Sequence, residues 1–237
     1  MLVLIYSLVG IAAATTAISL IGPNVDLAIA GLFFDPATAG FPAGSNRHVG
    51  MMRDHGTIAV VTCIACVVLA LAKFLPWRVP SVPGRAAVFL TISMLLGPGL
   101  LVNVILKDHW DRPRPVHVDR FGGTKTYVDW WNPTGSCDKN CSFVSGEAAT
   151  AAWMFGPAML LPAPWRAAAI GAAAVFTAAM AGLRMAVGAH FFTDVLFGVL
   201  STILILLVMH RLIFRWPRPA FGRTEVQRAD PGVRPSN

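Results

Sequence analysis

The feature that most constrains this chain is a series of uncharged apolar runs, each long enough to cross a bilayer. A membrane-spanning helix needs about 20 apolar residues, at a rise of about 1.5 Å per residue. A helix satisfies its own backbone N–H and C=O groups, which hydrocarbon cannot do, so helices are the expected form of such runs. The six runs lie at about residues 1–22, 57–75, 86–106, 143–162, 167–187 and 192–214.

Composition supports the same interpretation, because 55% of the residues are hydrophobic and only 13% are charged, as is typical of membrane proteins. The predicted fold class is therefore all-α, a polytopic bundle of six transmembrane helices that forms one domain over residues 1–215. Residues 216–237 are predicted to form a cytoplasmic, disordered tail rich in Pro and Arg. The first run could instead be a cleaved signal peptide, although no Lys or Arg precedes it and the first charge is Asp26.

The distribution of Lys and Arg predicts the orientation, because cytoplasmic loops carry more of these residues than outer loops do. Basic residues follow the last span and crowd the short connection that ends near Arg85. Both termini are then cytoplasmic, and the loops 23–56 and 107–142 and the turn at Gly188 face outward. We therefore expect a multi-pass protein of the inner (plasma) membrane whose active site faces the periplasm or exterior.

The outer loop 107–142 is unusually basic for its predicted side of the membrane. The net charge of +7 would suggest nucleic acid as the partner of a soluble protein, but here it is divided between the tail and this loop. No nucleic-acid partner is therefore expected, and a functional reason is expected for the charge in the loop. Its basic residues are Lys107, Arg112, Arg114, Arg120, Lys125 and Lys139.

The cysteines form two pairs with different surroundings. Cys137 and Cys141 lie in the predicted outer loop, where an oxidising compartment would permit a disulfide. Cys63 and Cys66 form a C-x-x-C inside the second run, and we interpret them as small packing residues rather than a redox or metal site.

Lys107 and Arg114 belong to a first polar cluster, K-D-H-W-D-R-P-R-P, at the end of the third run. Pro113 and Pro115 prevent the helix from continuing, so Arg114 is predicted to lie in an extended turn beyond the helix end. A planar guanidinium and a mobile ammonium group that converge in this way suit a tetrahedral oxyanion. Ordinary contact of interfacial cations with lipid headgroups is the alternative.

A second cluster, S-F-V-S-G-E, opens the fourth run. Ser145 is a favoured helix cap, and Gly146 would let a ligand approach the free N–H groups of the first turn. Glu147 would repel a phosphate as a carboxylate, so it is either a partner of the helix dipole or a protonated acid.

The third cluster, R-M-A-V-G-A-H-F-F-T-D, precedes the sixth run. His190 and Asp194 are four residues apart, which on a helix would let the Asp hold one imidazole nitrogen. Arg184 can face the same site only if the chain breaks between it and His190, and Gly188 provides that break. A structural hydrogen-bonded pair is the alternative, but ionisable residues at membrane depth generally have a function.

Together the clusters resemble the type 2 phosphatidic acid phosphatase (PAP2) superfamily, whose pattern is K-x6-R-P, P-S-G-H and S-R-x5-H-x3-D. The middle motif departs from it, with Val144 in place of Pro and Glu147 in place of His, and Leu183 replaces the Ser of the third motif. The residues that match the outer motifs are Lys107, Arg114, Pro115, Arg184, His190 and Asp194.

The resemblance implies a lipid phosphatase that needs no metal or other cofactor. It implies that His190 attacks phosphorus to form a phospho-histidine and that Asp194 orients it. The implied phosphate-binding residues are Lys107, Arg114, Arg184, Ser145 and Gly146.

The sequence therefore predicts a membrane enzyme that hydrolyses a lipid phosphate or diphosphate: a polyprenyl diphosphate, a lipid A 1-phosphate or a glycerolipid phosphate. The family His of the second motif protonates the leaving oxygen, and we expect Glu147 to replace it as general acid, or as base for the water. The substitution could also favour a diphosphate or an anomeric phosphate, which leave more easily. The alternatives are a lipid-to-lipid phosphotransferase and a non-catalytic lipid-phosphate binder or transporter.

Overall fold

The computed structural model describes residues 2–21, 25–71, 84–107 and 109–215. The predicted tail 216–237 and the connection 72–83 lie outside the described residues, as do the side chains of Cys63 and Cys66. The regular structure of the described part is helical, which confirms the all-α prediction. Its α-helices are α1 (Leu2–Ile21), α2 (Val25–Gly31), α3 (Pro42–Ser45), α4 (Arg47–Leu71), α5 (Gly84–Met94), α6 (Gly146–Ala152), α7 (Phe155–Leu160), α8 (Ala163–Ala186) and α9 (Phe192–Arg215).

Three helical segments of the described part are long and apolar enough to cross a membrane: Gly84–Leu106, Ala163–Ala186 and Phe192–Phe214. The last two agree with the predicted fifth and sixth runs. Six spans are therefore not confirmed, although three membrane-spanning helices agree with a membrane protein. Helix α9 is the centre of the bundle, since α1, α2, α5, α6, α7 and α8 all contact it.

The third predicted span changes its helical form halfway. Helix α5 continues into a π-helical segment, Leu95–Leu106, which contains Pro98. Proline removes a backbone donor and crowds the preceding turn, and wider π turns are one way for a helix to accommodate that change. The side-chain amide of Asn103 donates to the Pro98 carbonyl at 2.7 Å, so the altered turn keeps a hydrogen-bond partner.

The fourth predicted span, 143–162, is not one continuous helix. It forms the short helices α6 and α7, with a break at Trp153 and Met154. The cause is Pro157, because a proline ring collides with the carbonyl four residues earlier, which is that of Trp153. The indole of the buried Trp153 crosses to α5 and donates to the Leu90 carbonyl at 3.2 Å, so the break is packed inside the bundle.

The predicted outer loop 23–56, which the structure describes from residue 25, contains α2, α3 and the first turns of α4. Helix α2 packs against α9, and α4 already begins at Arg47, about ten residues before the predicted second run. Phe34 and Phe41 meet Phe121 of the following loop in an aromatic cluster, with ring centroids 5.2 to 5.7 Å apart. This segment is therefore part of the packing around the polar clusters.

Candidate active site

Three backbone hydrogen bonds join the polar clusters at one end of the helix bundle. The Ser142 N–H donates to the Arg112 carbonyl at 2.9 Å, which connects the first and second clusters. The Val116 N–H, directly after the first cluster, donates to the Gly188 carbonyl of the third cluster at 3.0 Å, and the Ser145 N–H of the second cluster donates to the Asp194 carbonyl of the third at 3.0 Å. Each cluster is thus tied to the other two, as their convergence on one site required.

The chain reverses at Gly188, as the sequence predicted. Helix α8 ends at Ala186, and Gly188 has a left-handed φ of 65°. A Cβ atom at this position would lie 2.5 Å from the Phe41 ring, so both conformation and space favour glycine. Arg184 lies in the last turn of α8, and the reversal brings His190 back beside it.

His190 is buried, with 2% of its surface exposed, and its Nδ1 lies 2.7 Å from the Ser142 carbonyl oxygen. A carbonyl can only accept, so Nδ1 carries the ring proton and Nε2 keeps its lone pair. Burial, together with the positive charges of Arg184 and Arg114, lowers the pKa of His190 well below its ordinary value. The imidazole is therefore neutral at pH 7 and able to act as a nucleophile.

The relation between His190 and Asp194 differs from the sequence prediction. His190 lies in the turn before α9, not on the helix, and its Nδ1 is 3.9 Å from the nearer Asp194 oxygen. Asp194 instead accepts hydrogen bonds from the Ser142 hydroxyl at 2.5 Å and the Phe191 N–H at 2.7 Å. The carboxylate thus orients the ring through Ser142, whose own carbonyl is the direct partner of the imidazole.

Behind Asp194 lies a buried ionic network that sequence reasoning missed. The guanidinium of Arg112 contacts the carboxylates of Asp194 at 2.5 Å and Asp26 at 2.6 Å. It also lies over the Phe191 ring, 4.5 Å from its centroid. Burial opposes the charged form, but the two carboxylates outweigh that effect and raise the pKa of Arg112.

Asp26 belongs to α2 and bonds both the N–H and the hydroxyl of Thr193 at the start of α9. A single acidic residue directly after an apolar run was the available signal for a role of Asp26. Its partners, 86 and 167 residues away, could not be read from local spacing.

Lys107, Arg114 and Arg184, here called the cationic cluster, supply the positive charge around His190, and all three lower its pKa. Arg184 Nε lies 3.2 Å from Glu147 Oε2, close enough for an ion pair but not aligned as a hydrogen bond. The Glu147 side chain is 38% exposed, so it is partly accessible to solvent. Arg184 and Glu147, which the sequence predicted to belong to the site, therefore contact each other directly.

Arg114 is held by the loop that contains the disulfide. Its Nε and Nη2 donate to the Asn140 carbonyl at 3.2 and 3.0 Å. Asn140 itself has a left-handed φ of 54° and lies inside the ring closed by the Cys137–Cys141 disulfide, the bridge that the sequence predicted. The bridge therefore fixes the carbonyl that orients this cation.

Ser145 caps α6 as predicted, and its hydroxyl accepts from the Ala148 N–H at 3.4 Å. Gly146 begins the helix, and a Cβ there would lie 2.7 Å from the Asn103 side-chain oxygen. Together with Lys107 and Glu147, Gly146 lines a cavity of about 250 Å³ between α4, the π-helical segment, α6 and α8. The second cluster thus forms one wall of the cavity beside the cationic cluster.

Comparisons with known proteins agree with these motifs. A family model described as the PAP2 superfamily matches residues 86–218. The chain is 34% identical over 198 residues to a lipid A 4'-phosphatase of Francisella tularensis subsp. novicida, covering 83% of this chain and 89% of the relative. It is 45% identical over 113 residues to a lipid A 4'-phosphatase of Rhizobium etli, covering 48% of this chain and 44% of the relative. A lipid A 4'-phosphatase of Rhizobium leguminosarum is also 45% identical, over 116 residues and 48% of each chain. No solved structure gives a significant match.

Proposed function

Since the chain belongs to the PAP2 superfamily and is a membrane phosphatase, we propose that it hydrolyses a phosphate monoester of a phosphorylated glycolipid of the lipid A type and releases inorganic phosphate. The observation that carries the proposal is the environment of His190, whose buried imidazole is neutral, carries its proton on Nδ1 and has three cations nearby. This arrangement suits in-line attack on a phosphorus atom whose oxygens are held by positive charge.

The first step uses the lone pair of His190 Nε2. Nε2 attacks phosphorus, the bond between phosphorus and the leaving oxygen breaks, and the cationic cluster holds the remaining phosphoryl oxygens. Gly146, at the start of α6, lines the cavity together with Lys107 and contributes to the same binding region, whereas the N–H of the buried Ser145 already donates to the Asp194 carbonyl and its hydroxyl caps α6. The product is a phospho-histidine and an alcohol, provided that the leaving oxygen receives a proton.

Glu147 is the proposed source of that proton. A phosphate that binds Arg184 competes with the Glu147 carboxylate for the guanidinium. A proton on Glu147 removes the repulsion between the phosphate and the carboxylate. Glu147 then protonates the leaving oxygen and, as a carboxylate, takes a proton from the water that attacks the phospho-histidine. The N–P bond breaks and inorganic phosphate leaves.

The relatives support a sugar phosphate monoester rather than a diphosphate or an anomeric phosphate. Their names specify the 4' position of lipid A, where the leaving oxygen is an ordinary sugar alkoxide that must be protonated. An acidic residue at position 147 fits that requirement. Membership of a phosphatase family also favours an enzyme over the non-catalytic binder.

The disulfide and the charge distribution support an outward-facing site. Cys137 and Cys141 are joined beside the cationic cluster, and disulfides persist in oxidising compartments such as the periplasm. We therefore assign the enzyme to the inner membrane, with its active site in the periplasm and both termini in the cytoplasm. The glycolipid would enter from the outer leaflet.

The test is phosphate release from lipid A by the purified protein in detergent. Wild type should release inorganic phosphate and form an acid-labile phosphoenzyme from ³²P-labelled substrate, and His190→Ala should do neither. His48→Ala, which changes an exposed histidine on α4, is the matched control and should keep both properties. Full activity of His190→Ala would refute the mechanism, and transfer of ³²P to a second lipid would indicate the phosphotransferase instead.

A further inference from the structure

A second cavity lies beside the active site, in the loop region beyond the helix ends. It has a volume of about 440 Å³ and is bounded on one side by residues 114–125 and on the other by residues 137–140 of the disulfide loop. This volume is within the range of about 300–1,000 Å³ that is usual for small-molecule sites. The cavity is distinct from the one lined by Lys107 and Glu147.

Positive charge dominates the walls of this cavity. Arg114, Lys125 and Lys139 line it together with His117, and Asp138 is the one acidic residue among its lining residues. Arg114 is the link to the reaction, because it lies in this wall and also among the charges that act on His190. A group bound here would therefore be next to a phosphate bound at the cationic cluster.

The walls are held in place by specific contacts. The Lys125 ammonium group donates to the Ser136 carbonyl, and the Lys125 N–H donates to the His117 carbonyl at 2.9 Å. The chain passes so closely at Gly123 that a Cβ there would lie 2.1 Å from the His117 carbonyl carbon. On the opposite side, the disulfide and the bond from Arg114 to Asn140 fix the loop. Both walls of the cavity are therefore held by contacts within the protein itself.

We infer that this cavity is a second anion subsite, which binds a further anionic group on the polar headgroup of the substrate. The inference rests on the proposed function, and it narrows the substrate class to lipids whose headgroup carries an anionic group besides the phosphate removed. A glycerolipid with a single phosphate has no group to place there. A glycolipid with two phosphates does, and Lys125 and Lys139 would contact the one that is not hydrolysed.

The experiment compares two substrates that differ only in this second group: bisphosphorylated lipid A and the form that retains only the phosphate to be removed. The variants are Lys139→Ala and Lys125→Met, measured in the full-length protein in detergent. Each should raise KM for the bisphosphorylated lipid about fivefold, as expected for one partly exposed ion pair. The kcat values for both lipids and KM for the monophosphorylated lipid should stay unchanged.

Arg120→Ala is the matched control, because it removes an exposed cation from the same loop outside the cavity. It should leave KM unchanged for both lipids. Equal KM changes for the two lipids in Lys139→Ala, or no change for either, would overturn the subsite and leave the phosphatase activity standing. If the wild type hydrolyses neither lipid, the proposed function fails and the subsite fails with it.

Discussion

At the scale of single residues, the partner of the His190 ring decides which nitrogen can react. The Ser142 carbonyl accepts a hydrogen bond from Nδ1–H, and Asp194 fixes Ser142 by accepting a hydrogen bond from its hydroxyl. The nucleophile is therefore oriented by one backbone and one side-chain bond of the same serine. A Ser142 substitution would act on the hydroxyl alone and leave the carbonyl contact in place.

The pH dependence of activity follows from the environment of His190. Burial and the neighbouring cations place its pKa below 6.5, so the ring stays neutral as the pH falls through 6.5 and loses its lone pair only at lower pH. We expect the acid limb of kcat/KM in a pH titration to lie below pH 6.5. Arg114→Gln removes one of these charges and should move the limb upward, whereas Arg120→Gln should not. An unshifted limb in Arg114→Gln would contradict this electrostatic account.

Glu147 can be tested by the need for a proton on the leaving group. A general acid contributes about 10²-fold or more to the rate. Glu147→Gln should therefore slow phosphoenzyme formation from lipid A about a hundredfold, with a much smaller effect on phosphoenzyme formation from p-nitrophenyl phosphate, whose leaving group needs no proton. Rapid-quench rates of phosphoenzyme formation from the two substrates provide the comparison, because this step precedes the water attack in which Glu147 acts as base. Similar losses for both would instead assign Glu147 to the ion pair with Arg184.

The site residues that sequence reasoning identified are those with a fixed spacing within one motif. Arg184 and His190 are joined by a short turn whose reversal at Gly188 is visible as a glycine. Ser142 and Asp26 were not identified, because their partners belong to other parts of the chain. Spacing predicts contacts within a turn or helix, but contacts between distant segments depend on how the helices pack.

At the scale of elements, α2 has a larger role than its seven residues suggest. Its Asp26 neutralises Arg112 and bonds the first turn of α9, which carries Asp194. Loss of one partner from a buried ion pair is costly, about 3–5 kcal/mol, because the remaining charge stays buried. The short helix therefore stabilises the turn that holds the nucleophile.

Asp26→Asn should lower the thermal midpoint and reduce kcat about tenfold with little change in KM, because the turn before α9 loosens while the cationic cluster remains. Thermal unfolding and steady-state kinetics on the same detergent preparation check both effects. Asp35→Asn is the control, since the Asp35 carboxylate accepts hydrogen bonds within its own turn, from the Ala37 N–H and the Thr38 hydroxyl. An unchanged kcat and midpoint in Asp26→Asn would show that the network has no such role.

The disulfide loop is the second element with a direct effect on the site. Cys137→Ser and reduction with dithiothreitol both free the Asn140 carbonyl that orients Arg114. We expect KM to rise about three- to tenfold, the loss of roughly one charge-assisted contact, while kcat changes less. Cys63→Ala, in the second apolar run, should show neither change. Insensitivity of KM to reduction would separate the disulfide from phosphate binding.

Helix form was less predictable than helix position. The apolar runs predicted both ends of α9 and the end of α8 to within one residue, although α8 begins four residues before the predicted run, because length and hydropathy decide such spans. They did not give the break before Pro157 or the π turns around Pro98. A proline shows that a helix must change, but neighbouring contacts such as that of Trp153 with Leu90 determine how it changes.

At the scale of the whole molecule, the proposed orientation predicts which positions are accessible from outside. In spheroplasts, a membrane-impermeant maleimide should label Thr124→Cys, in the loop with the disulfide, before the membrane is permeabilised. It should label Arg85→Cys, near the start of α5, only afterwards. The opposite pattern would reverse the proposed topology and move the site to the cytoplasm. Labelling of the unsubstituted protein gives the background.

The contact between α2 and the site matters for the choice of boundaries in a truncated protein. The region matched by the family model begins at residue 86, so a fragment limited to it would retain every residue of the three motifs and yet lack Asp26. Arg112 would then be left in the interior with one counter-ion where the full chain supplies two. A truncated homologue would thus match all three motifs and still lack one of the two carboxylates that neutralise the buried arginine behind the catalytic residues.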